Sequence, residues 1–135
     1  MKLRDVTAGD EELRVIIESG LVLREAGRLD EAEKIFRGVG ELAPQSDVPL
    51  VALSSIAARR GDFETALRLC DEALRRAPRS LFARVSRAEI LLYQQKRREA
   101  ADELREIIEA DPASPHSRTA QALLDVAQLM SEETN

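Results

Sequence analysis

Side chains that could do covalent chemistry are scarce in this chain. It has one cysteine, Cys70, and one histidine, His116. A nucleophile needs a base beside it and a third group to orient that base, and no serine here keeps such company. A single thiol can form neither an intramolecular disulfide nor a cysteine-built metal site. No glycine-rich run offers a phosphate loop. Cys70 stands in an apolar column at helical spacing, where its expected role is that of a small buried hydrophobe. His116 follows Pro115 at the start of a helix and reads as an exposed surface residue. The 25 carboxylates are expected on solvated helix faces. Catalytic residues, metal ligands and cofactors are therefore not expected. Recognition by shape and apolar contact is the chemistry left.

Composition narrows the class. Of 135 residues, 44% are apolar and 33% charged, with three Phe, one Tyr and no Trp. Ala, Leu, Glu and Arg dominate, and these favour helix. The length suits one domain with a modest core. The net charge of −5 argues against nucleic acid as a partner, because displacing phosphate counterions requires a concentrated basic surface. Arg59-Arg60, Arg75-Arg76 with Arg79, and Lys96-Arg97-Arg98 have acidic neighbours and fall near helix ends, where cations suit the macrodipole. No stretch is apolar enough to insert in a membrane, and "MKLRDVTAGD" lacks the apolar core of a secretion signal, so the expected location is cytoplasmic.

The elements that must position any binding residue are announced by punctuation. Pro44, Pro78 and Pro112 stand 34 residues apart, and each is followed two residues later by Ser46, Ser80 or Ser114. At the same period Gly27 and Gly61 align with Gln95, and Ala32 with Ala66 and Ala100. Phe36, Cys70 and Leu104 align too, as do Val39, Ala73 and Ile107. Proline ends a helix and biases the preceding residue away from it, while serine can cap the next helix. Glycine supplies a left-handed turn between paired helices, and alanine lets the pair approach closely. The pattern predicts helices over 11–25 and 29–41, 47–60 and 63–76, 81–94 and 97–110. A last helix over 115–130 carries an apolar stripe of Ala120, Leu123, Leu124, Ala127 and Met130. Residues 1–10 are expected to be loosely ordered and 131–135 to form a disordered tail.

These columns resemble the tetratricopeptide repeat (TPR) family. The repeats would be 13–46, 47–80 and 81–114, with 115–130 as capping helix, one domain over 11–130. Gly20, Ser54 and Ala88 take the small position of the first helix, and Leu23, Ala57 and Leu91 follow. Three departures stand out: Ile16, Leu50 and Arg84 at the tryptophan-like position, aliphatic residues for the usual tyrosine, and Arg87 for a leucine in the third copy. The resemblance implies an all-α, right-handed α-solenoid with a concave face.

In that family the first helix of each pair lines the concave face. Carried over by register, the groove would comprise Arg14, Ile17, Leu21 and Arg24, then Val48, Val51, Ser55 and Ala58 with Arg59 at the edge, then Phe82, Val85, Glu89 and Tyr93. About half of these are expected to face open solvent. Modules that clamp acidic chaperone tails use Lys, Asn and Arg at positions that here hold Ile17, Leu21, Ala52, Phe82 and Ser86, so that clamp is not expected. The resemblance implies a non-catalytic protein–protein interaction module. It would hold an apolar or amphipathic helical segment of another protein, as an adaptor or as an assembly chaperone like those of bacterial type III secretion. A homodimerisation module is the alternative, and an enzyme the least supported reading.

Overall fold

The computed structural model describes residues 9–133, which form seven helices: α1 (Asp10–Glu25), α2 (Leu29–Leu42), α3 (Val48–Arg59), α4 (Phe63–Arg76), α5 (Leu81–Tyr93), α6 (Arg97–Ala110) and α7 (Pro115–Glu133). Every end falls within one residue of the sequence expectation except the last. Helix α7 runs through Glu133 instead of ending at 130, because Ser131-Glu132-Glu133 holds no glycine or proline to stop it. Residues 1–8 and 134–135 of the expected loose ends lie outside the described residues.

The two kinds of turn repeat their bonding in each copy. At Ala43, Ala77 and Asp111 the backbone leaves the helix, with ψ of 69°, 80° and 84°. The following proline's ring demands this of the residue before it. The amide of Ser46 then bonds to Ala43 O at 3.1 Å, that of Ser80 to Ala77 O at 3.0 Å, and that of Ser114 to Asp111 O at 3.1 Å. Each is a four-residue turn with proline second, a favoured place for it. The serine hydroxyls accept from the next helix: Ser46 from Val48 N, Ser80 from Ala83 N and Ser114 from His116 N.

Within each hairpin the turn passes through a left-handed residue, Gly27 (φ 79°), Gly61 (φ 83°) or Gln95 (φ 66°). The amide that follows reaches back into the helix just ended: Arg28 to Leu23 O, Asp62 to Ala57 O, Lys96 to Leu91 O, each at 2.9 Å. Asp62 also caps α4, accepting from Thr65 N at 3.1 Å. Its hydrogen bonds to Thr65 hold its carboxyl below the usual range.

Packing in the first and third hairpins follows a trade in volume between two columns, and in the second two small residues meet there. Gly20 faces Phe36, Ser54 faces Cys70, and Ala88 clusters with Leu104. Phe36, Cys70 and Leu104 are fully buried, as are Ala32, Ala66 and Ala100. A Cβ on Gly20 would stand 2.7 Å from Phe36 Cζ and 2.9 Å from Ile35 Cγ2, so the largest core side chain requires the smallest neighbour. In the second hairpin Ser54 Oγ donates to Ala66 O at 2.8 Å and lies 2.9 Å from Cys70 Sγ. The serine's one proton is thus engaged, which leaves the thiol as donor.

Between hairpins, arginines reach back across the junction. Arg59 pairs with Glu25 at 2.7 Å, Arg60 with Asp30 at 2.5 Å and Glu33 at 3.0 Å, and Arg76 donates to Pro44 O at 2.9 Å. In the third hairpin Arg84 and Arg87, the departures from the family pattern, both pair with Glu103, and Arg84 also with Glu106.

The volume trade is testable by a double-mutant cycle. Gly20→Ala alone should cost about 1–3 kcal/mol of unfolding free energy in urea melts. Combined with Phe36→Leu, which reproduces the Ala88/Leu104 pairing, the two changes should cost less than their sum by at least about 0.5 kcal/mol. Strict additivity would show that the columns do not compensate.

Candidate functional site

Helices α1, α3, α5 and α7 form one layer of the solenoid and α2, α4 and α6 the other. Helix α3 packs on α5 and α5 on α7, whereas α1 packs chiefly on α2. A cavity of about 310 Å³ opens along the first layer. Val51 and Ser55 of α3 line it, with Phe82, Val85, Ser86 and Glu89 of α5. Arg24 closes one end from α1, and Pro115, His116 and Thr119 close the other from α7. Val51 is 1% exposed and Val85 6%, so the valines are the floor. Each packs into the interior, Val51 beside Ala73 and Ala83 and Val85 beside Leu104 and Ala120. Contact between neighbouring helices of the layer covers both valines, so neither is among the groove positions that face open solvent.

Of the thirteen residues assigned to the groove, Arg24, Val51, Ser55, Phe82, Val85 and Glu89 come together in the cavity. Ile17 and Leu21 are half-buried against the Ala32–Phe36 core of the first hairpin. Val48 is half-buried outside the cavity lining. Arg14 is exposed and bonded to Glu18 at 3.2 Å. Tyr93, at the far end of α5, stacks on Phe63 with centroids 6.2 Å apart and donates to Glu89 Oε1 at 3.2 Å. Tyr93 therefore touches the rim through Glu89. Arg24 brings a guanidinium whose Nε is buried without an acceptor, while its Nη2 shares Glu25 Oε1 with Arg59.

His116 corrects the expectation of a bystander on the surface. It is half-buried, and its ring stacks on Phe82 at 5.8 Å and 25°. The signal was available in the period: adding 34 to Phe82 and Val85 gives His116 and Thr119. Helix α7 is the first half of a fourth repeat, and it walls the cavity as well as covering the core. Among the described residues no group of three or more His, Cys, Asp or Glu could hold a metal ion. No described helix is long and apolar enough to cross a membrane.

Three helical hairpins in register, a half-repeat cap and a concave cavity define a TPR-type α-solenoid. The TPR family profile (tetratricopeptide repeat) matches residues 57–124, and the chain belongs to that family. Among solved structures it is similar to the first TPR of Spaghetti (RPAP3) bound to HSP90 peptide SRMEEVD, with TM-score 0.65 and 20% identity over 94% of this chain and 98% of that one. It is also similar to SycD, the type III secretion chaperone of Yersinia enterocolitica, in complex with a peptide of the translocator YopD. There the TM-score is 0.64 and the identity 16%, over 91% of this chain and 97% of the other. PilF of Pseudomonas aeruginosa gives TM-score 0.74 at 22% identity, over 91% of this chain and 55% of PilF. At such identities the likeness shows the fold. No curated protein matches in sequence.

The thiol that sequence singled out lies outside the cavity lining. Burial pushes the Cys70 thiol above the ordinary range. The folded state thus retains a proton that the unfolded state gives up. Stability from this group is complete below the ordinary thiol value and declines as pH rises above it. Urea melts should show a loss of up to about 1.4 kcal/mol per pH unit above about pH 8.5. Tyr93, raised by burial and by Glu89, contributes only at higher pH. Cys70→Ala should flatten the decline between pH 7 and 9.5; an unchanged slope would mean that the thiol titrates alike in both states.

Proposed function

We propose that this protein is a non-catalytic interaction module that holds an apolar or amphipathic helical segment of another protein along its concave layer, as an adaptor or assembly chaperone. The observation that carries this reading is the cavity over Val51, Phe82 and Val85, with a polar rim of Arg24, Ser55, Glu89 and Thr119. An apolar floor within a polar rim suits one inserted anchor side chain with a neighbouring segment lying across it. Membership of a family whose members are in general interaction modules supports it. So do the peptide complexes of two proteins with this fold, the HSP90 peptide on RPAP3 and the YopD peptide on SycD. Of the two modes, the apolar one fits better, because Ile17, Leu21, Ala52, Phe82 and Ser86 offer no cation for a terminal carboxylate. By the same argument the role of a type III secretion-like chaperone is preferred to that of a receptor for acidic tails.

Rim residues give the cleanest test, since charges at Val51 or Val85 would disrupt the core. A photo-crosslinking amino acid at position 119, on the exposed rim of the same cavity, should capture a partner in cells. Ser55→Arg with Glu89→Arg should lower its recovery at least about tenfold, with unchanged helical circular dichroism. Equal recovery from a folded variant would rule the groove out.

A further inference from the structure

Three helices of the concave layer bury the same face against the preceding hairpin. At one column stand Pro49, Ala83 and Ser117, and at a second Ile56, Ile90 and Leu124, all buried. Ile56 packs with Phe36 and Val39, Ile90 with Ala66 and Cys70, and Leu124 with Leu104 and Ile107. Each column thus beds on the apolar stripe of a second-layer helix. In α1 the same columns hold Val15 and Val22, and these are 53% and 67% exposed. Helix α1 displays a stacking face that its sister helices cover.

One difference tells what fits there. Between the two columns the sister helices place Ala52, Ser86 and Ala120, all buried, whereas α1 places Glu18. Glu18 is bonded to Arg14 at 3.2 Å, and Asp10, Glu11 and Glu12 add carboxylates at the first turn that keep this end of α1 acidic. We propose that Val15, Glu18 and Val22 form a second docking surface, separate from the concave cavity, which takes a basic amphipathic helix of another protein. That helix would carry apolar residues at i, i+4 and i+7, as Ala32, Phe36 and Val39 do, with Lys or Arg flanking them to meet the acidic row. A second copy of this chain fits poorly. Two α1 faces would oppose like charges, and the second-layer stripes are buried inside their own hairpins. The other exposed apolar pair, Val126 and Leu129 on α7, has acidic Asp125 beside it.

The test uses ¹⁵N-labelled full-length protein and a lactam-stapled 14-residue helix with Ala, Leu and Val at i, i+4 and i+7 and flanking lysines. Amide shifts should centre on Val15, Glu18 and Val22, and should persist in the Ser55→Arg/Glu89→Arg variant. Glu18→Lys should weaken binding at least about tenfold at low salt, and the same peptide with glutamates should not bind. Val22→Glu, at an exposed site that leaves the fold intact, should abolish it. The proposal is overturned by an absence of α1 shifts at millimolar peptide, or by shifts confined to the cavity. It also falls if binding appears only after residues 2–8 are removed, or if sedimentation shows a dimer that Val22→Glu dissociates. These last two outcomes would assign the face to the chain's own N-terminal segment or to a second copy.

Discussion

Closeness of the two helices within each hairpin is the constraint on which the rest of the molecule depends. It is set at one crossing point, where a small residue on the first helix meets an apolar residue on the second. The three copies satisfy it with different partners: glycine with phenylalanine, serine with cysteine, alanine with leucine. Protein interiors are close-packed, so glycine meets the larger phenylalanine and alanine the smaller leucine, while in the second hairpin the two small residues meet through the contact of Ser54 Oγ with Cys70 Sγ. The fully buried alanine column at Ala32, Ala66 and Ala100 enforces the same spacing beside it. Hairpins of equal thickness can then stack at a constant interval, and a regular stack produces a continuous first layer with a concave side.

This construction explains how a domain with so few aromatic residues remains ordered. Where the family pattern calls for a large ring and a leucine in the third hairpin, Arg84 and Arg87 reach Glu103 and Glu106 instead. Arg59 and Arg60 make comparable bridges from the second hairpin to the first. Partly exposed pairs of this kind contribute little each. Stability rests on the buried aliphatic columns, while Arg59 and Arg60 link the second hairpin to the first and Arg84 and Arg87 join the two helices of the third.

The cavity is a by-product of the same stacking. Because α3, α5 and α7 touch along the first layer, the valines between them sink into the floor, and the groove's chemistry passes to its rim. Helix α7 belongs to that wall through the stack of His116 on Phe82. The cap thus closes the core on one side and bounds the binding surface on the other.

What the sequence by itself determined is whatever depends on neighbours close along the chain. Proline, serine and glycine act within a few residues of their own positions, so all seven helices and nearly all their ends were legible in a single period of 34. Cys70 as a core residue was legible for the same reason, since its column is apolar in each copy. Only the tertiary structure decided which groove residues meet a ligand. Register placed Ile17, Leu21 and Val51 on one layer, yet burial of each depends on how near the next helix lies, and that distance is set by contacts between distant residues. The reach of Arg24 into the cavity, the placement of His116 on Phe82 and the exposure of Val15 and Val22 are likewise properties of the stack.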